Sequence, residues 1–138
     1  VETRPLYAIK ADLFKALAHP ARIQVLEVLA AAPGLTAPVP RLLDATGAEP
    51  SALSQHLAVL KRAGVVRSTR TGNAVEYKLT EPLVAELLVV ARAFLLTHLA
   101  ESATPAQLGA ARDLPALPGA SARTVLDAAE AAFAQATP

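Results

Sequence analysis

The chain has 138 residues, enough for one compact domain, with an apolar fraction of 53%, aromatics at only 4% and a net charge of +1. A core of Leu, Val and Ala with few aromatics indicates helices, and the absence of Cys excludes disulfides, thiolate catalysis, thiol redox sensing and Cys-based zinc sites. The near-neutral total hides a local excess: residues 51–80 set Lys61, Arg62, Arg67, Arg70 and Lys78 against Glu76 alone, a charge of +4, while the rest of the chain carries 8 basic and 11 acidic residues, a charge of −3.

From the start, "VETRPLYAIKADLF" shows no basic segment leading into an apolar run, so no secretory signal is read there. Residues 6–18 are predicted as a helix with Ile9, Leu13, Phe14 and Leu17 on one side. His19-Pro20 interrupts it, because a residue before proline avoids the helical region while Pro20 suits the first turn of a new helix. That second helix spans about 20–31 and places Ile23, Leu26 and Leu29 at helical spacing. "APGLTAPVP" reads as a loop from its Pro and Gly content. A short helix follows at about 40–46, ends near Gly47, and is tightly joined to another at about 50–63, closed by Gly64.

Two β-type runs come next, Val65-Val66-Arg67 and Val75-Glu76-Tyr77-Lys78-Leu79, with Gly72-Asn73 as a hairpin tip. Val75, Tyr77 and Leu79 alternate inward and leave Glu76 and Lys78 outward. A long helix is predicted from Pro82 to about Glu101, capped by Thr80 or Glu81. Its stretch Leu83–Ala100 has the length of a membrane span, but Glu86 and Arg92 interrupt it away from both ends, so a cytoplasmic protein is expected. The composition then shifts to Pro, Gly and Ala, giving an extension over 102–138 with a possible terminal helix capped by Ser121.

The resulting fold class is mainly α with a two-stranded β-wing, in the order α-α-α-α-β-β-α. A short helix joined tightly to a second one, followed by a basic hairpin, is a winged helix-turn-helix. The DNA major groove admits one α-helix, which must be polar on one side and anchored on the other. Residues 50–63 meet that condition. At about 100° per residue, Leu53, Leu57 and Leu60 share one arc, flanked by Ala63, Ala52 and Val59. Ser51, Ser54, Gln55, Lys61 and Arg62 fall on the opposite side, and His56 falls inside the apolar arc. Ser51, Ser54 and Gln55 lie in the N-terminal turns, where base edges are read, and Gln can bond an adenine edge through its amide. Lys61 and Arg62 suit phosphates, Arg67, Arg70 and Asn73 on the wing are candidates for the backbone or the minor groove, and Lys78 is counted among the DNA contacts. His56 reads as a structural histidine, with the last helix as its candidate partner. His19 reads as a helix-junction residue, and Arg22 as structural rather than a DNA contact.

The stretches "FKALAHPARIQVLEVLA", "SALSQHLAVLKRAGVV" and "TRTGNAVEYKL", in that order, resemble three signatures of the ArsR/SmtB family of winged helix-turn-helix repressors, over roughly residues 6–101. The resemblance implies a DNA-binding and dimerisation domain over 1–101. It also implies a homodimer through the first and last helices, a double-stranded operator with two-fold symmetry, and repression relieved by an effector. The aliphatic helix 82–101 agrees, since it carries more apolar surface than one small subunit can cover.

One metal site of that family uses Cys residues, which this chain lacks, and another needs an Asp-x-His where this chain has Glu81-Pro82-Leu83. His98 and Glu101 share a helix face and are the remaining metal candidates, but two ligands rarely make a site without further donors. No cofactor is expected. No Gly-x-Ser-x-Gly, P-loop or dinucleotide fingerprint occurs, and Ser54 and His56 lie on different sides of one helix, so no enzyme is expected. Two alternatives remain: a metal-responsive repressor using His98 and Glu101, and a winged helix used only for protein association, which would need neither the exposed Ser/Gln row nor the basic wing.

Overall fold

The computed structural model describes residues 3–98. These fall into two compact units that divide at Glu81/Pro82. The boundary expected at 101/102, the extension and its Ser121-capped helix lie outside the described residues.

The first unit begins with α1 (Leu6–Leu17) and α2 (Pro20–Ala31). His19 is extended, with φ −151° and ψ 135°, and Pro20 opens α2, as the backbone restriction before proline requires. Val25, Leu26, Leu29 and Ala30 make α2 the most deeply buried helix of this unit. Of the apolar side predicted for α1, only Leu17 is buried and Phe14 is 54% exposed.

A 3₁₀ turn over Pro33–Leu35 leads into β1 (Thr36–Pro38), then α3 (Val39–Thr46), α4 (Pro50–Arg62), β2 (Val66–Thr71) and β3 (Ala74–Leu79). The strands form an antiparallel sheet in the order β1-β3-β2. The wing is therefore three-stranded, and the order α-α-α-α-β-β-α becomes α-α-β-α-α-β-β-α. The segment read as a loop contributes the third strand because Thr36, Ala37 and Pro38 pair with Lys78, Tyr77 and Glu76 at the sheet's edge. An edge strand tolerates the missing N–H of Pro38, and the Thr36 hydroxyl adds a bond to the Tyr77 carbonyl at 3.1 Å.

The second unit contributes α5 (Pro82–His98). Ala85, Leu88, Val89, Arg92, Ala93 and Leu96 are buried, while Leu83, Val90, Phe94 and Leu95 are exposed. Of Thr80 and Glu81, the two residues expected to cap this helix, Thr80 donates its hydroxyl to the Gly64 carbonyl at 2.7 Å and closes the base of the wing. Among the described residues no helix is long and apolar enough to cross a membrane.

Candidate nucleic-acid interface

The α3–α4 connection is built from a few local bonds. Gly47 takes the left-handed conformation, φ 65°, and its N–H bonds the Leu43 carbonyl at 2.9 Å. Thr46 then fastens the turn from both sides. Its hydroxyl donates to the Leu42 carbonyl at 2.8 Å and accepts from the Ala48 N–H at 3.2 Å. Pro50 occupies the first turn of α4, where its missing N–H costs nothing.

On α4, Leu53, Leu57 and Leu60 are all but fully buried, which fixes the helix's rotation about its axis. Ser51, Ser54, Gln55, Lys61 and Arg62 are then all exposed, with the three neutral polar groups in the first two turns. The helix's N-terminal end also carries the positive end of its dipole, which favours a nearby phosphate. Its C-terminus is closed by a Schellman arrangement. Gly64, at φ 80°, bonds the Lys61 carbonyl, and the Val65 N–H reaches the Leu60 carbonyl at 3.2 Å. This turns the chain directly into the wing.

The wing's cations divide between two faces. Residues directly opposite in an antiparallel pair share a face, so the register puts Arg67 with Lys78 and Thr69 with Glu76 on one side. Ser68 with Tyr77 and Arg70 with Val75 lie on the other. Lys61 Nζ donates to Ser68 Oγ at 2.9 Å, so Arg70 shares the face that is tied to the reading helix. Asn73 is exposed at the tip, next to Gly72 at φ 62°, the positive φ that a two-residue loop of this kind needs at its first position. The fold thus brings together Ser51, Ser54, Gln55, Lys61 and Arg62 on one helix, with Arg70 on the adjoining face of the hairpin. Arg67 and Lys78 stand on the reverse face.

His56 is half-buried, and its partners within this unit lie at the start of α2. Arg22 Nη1 lies 3.2 Å from His56 Nδ1, and the His19 and His56 rings are 4.2 Å apart between centroids. His19 Nδ1 accepts from the Ala21 N–H at 3.0 Å and so caps α2. Arg22 has only donors, so His56 Nδ1 accepts and the ring proton sits on Nε2. Burial, and after it the charges of His19 and Arg22, hold the His56 imidazole below its ordinary pKa of 6.5. The pattern of the sequence marked His56 as inward-facing, but 34 residues separate it from Arg22, and only the fold joins them.

His98 is exposed at the end of α5 and its ring lies against Phe94, 4.6 Å between centroids. Glu101 lies outside the described residues. Among the described residues no group of three or more His, Asp or Glu side chains could hold a metal ion.

Residues 17–69 match a helix-turn-helix domain family. The HTH-type transcriptional regulator Rv0081 of Mycobacterium tuberculosis is 49% identical over 102 residues, covering 73% of this chain and 87% of that protein. Its crystal structure superposes with a TM-score of 0.65, covering 72% of this chain and 97% of the other. The transcriptional repressor BigR of Xylella fastidiosa superposes with a TM-score of 0.54 at 32% identity, covering 59% of this chain and 81% of that one.

Proposed function

The chain belongs to the ArsR/SmtB family of helix-turn-helix transcriptional regulators, DNA-binding proteins and not enzymes, and from that premise we propose that it is a homodimeric repressor of a two-fold symmetric operator. Ser51, Ser54 and Gln55 read base edges in the major groove. Lys61, Arg62 and Arg70 hold phosphates around that contact, and Asn73 reaches the backbone from the tip of the wing. Arg67 and Lys78 add to the positive field from the reverse face. The dimer forms through the first and last helices, residues 1–101 are the DNA-binding and dimerisation domain, and the protein works in the cytoplasm.

One observation carries this reading. The exposed Ser51, Ser54 and Gln55 stand opposite the buried Leu53, Leu57 and Leu60 on the helix that follows the Thr46–Gly47 turn. A helix whose only task was packing would not keep neutral hydrogen-bonding groups in its first two exposed turns. In the test, the full chain and its Gln55→Ala variant are titrated with a duplex selected on the protein and with a random-sequence duplex. The variant is expected to lose about 1–3 kcal/mol on the selected duplex and to keep its affinity for the random one. Equal losses on both duplexes would show that Gln55 does not read sequence.

A further inference from the structure

We propose that Arg22 and His56, with the His19 ring tilted against the latter, form a proton-sensitive clamp that holds the reading helix α4 on α2 and releases it when His56 is protonated. The clamp joins the start of α2 to the middle of α4. His19 caps α2 through its Nδ1, and His56 directly follows Gln55 on α4. The ring pair, at 4.2 Å, and the Arg22 contact, at 3.2 Å, therefore link the cap of one helix to the middle of the other, next to Gln55. Arg22 Nε is buried without a hydrogen-bond partner among the described residues.

The chemistry gives the contact a direction. Arg22 can only donate, so the bond exists only while His56 Nδ1 is unprotonated. A proton on that nitrogen sets N–H against N–H and places a second positive charge beside the guanidinium, so bond and charge both oppose the closed arrangement. The groups acting on His56 are His19 and Arg22, neither of which can offer a negative charge. The other elements packed against α4 carry Lys10, Asp12 and Lys15 on α1 and Arg67 and Arg70 on β2, all exposed, and α4 itself carries Lys61 and Arg62 more than a turn beyond His56. Of the carboxylates, Asp12 is paired with Arg4, Glu49 is exposed at the N-cap of α4, and Glu27, on α2 itself, is half-buried five residues beyond Arg22.

The inference rests on the assignment of Ser51, Ser54 and Gln55 to base reading, so its test has one arm with DNA and one without. In the first, the full chain and His56→Asn, whose amide oxygen can accept from Arg22 but cannot titrate, are measured between pH 7.5 and 5.5 at fixed ionic strength. The probes are the selected duplex and a random duplex, and circular dichroism confirms that each sample is folded. In the wild type the ratio of the two affinities is expected to fall several-fold in acid, with a limiting slope of about tenfold per pH unit, while His56→Asn stays flat. Mere gain of charge on histidines has the opposite sign, since it raises affinity for any duplex. In the second arm, NMR follows the His56 ring and the amides of Ser51–Gln55 in the free protein. Those amide shifts are expected to track the ring's titration. Parallel pH profiles for wild type and variant, or amides that ignore the ring, overturn the clamp. If the selected duplex is not preferred at any pH while the amides still follow the ring, the clamp stands and the base-reading assignment falls.

Discussion

The wing's basic residues, similar in sequence, occupy different positions. Arg70 lies on the face joined to α4 through Lys61 and Ser68, whereas Arg67 and Lys78 sit directly opposite each other on the reverse face. Arg70→Ala is expected to weaken binding to all duplexes alike and to reduce the slope of log affinity against log salt by about 1; an unchanged slope would remove Arg70 from the phosphate contacts. Like charges directly across a strand pair destabilise it, so Lys78→Glu should stabilise the fold by about 0.2–1 kcal/mol in urea titrations while weakening DNA binding. A loss of stability would mean that the two cations do not oppose each other. The charges were legible in the sequence, but their division between faces was not, because it depends on the register of β2 on β3. His56 adds a pH dependence. Its folded-state pKa lies below the unfolded value near 6.5, so the unfolded chain binds the proton more tightly. The stability it contributes is complete above pH 6.5 and is lost as pH falls from there through the folded pKa. The urea midpoint of the wild type should therefore drop below pH 6.5 more steeply than that of His56→Asn.

Among the elements, those with strong punctuation were the most legible. Pro20 and the capping His19 set the start of α2 where the sequence places it, and Gly47 and Gly64 end α3 and α4. Apolar spacing alone also gave the buried face of α4, since three leucines on one arc have only one side to bury. β1 was not legible: three residues ending in Pro38 carry no alternation, and they become a strand only because β3 offers an unpaired edge. Thr46 was missed for a similar reason, since a threonine near a helix end has no signature until its two bonds are seen. The anchoring of α4 can be tested by Leu57→Ala, which removes a buried side chain and should cost about 2–5 kcal/mol in denaturant titration. A cost below about 1 kcal/mol would mean that Leu57 is not part of the packed face.

For the whole molecule, each unit leaves apolar side chains uncovered: Leu6, Tyr7 and Phe14 on α1, and Leu83, Val90, Phe94 and Leu95 on α5. Single exposed apolar residues are ordinary, but recurrence along two helices marks surfaces for association. The apolar excess of α5 was visible in the sequence, and the exposure of Phe14 and Tyr7 became visible only in the fold. The homodimer proposed here follows from these surfaces and from the family, and a two-fold protein requires a two-fold operator. In vitro selection of duplex DNA on the full chain tests that claim most directly. Selection is expected to enrich an inverted repeat whose half-sites lie one helical turn, about 10–10.5 bp, or a multiple of it apart. Failure to enrich any sequence over the starting library, or enrichment of a single asymmetric half-site, would contradict it.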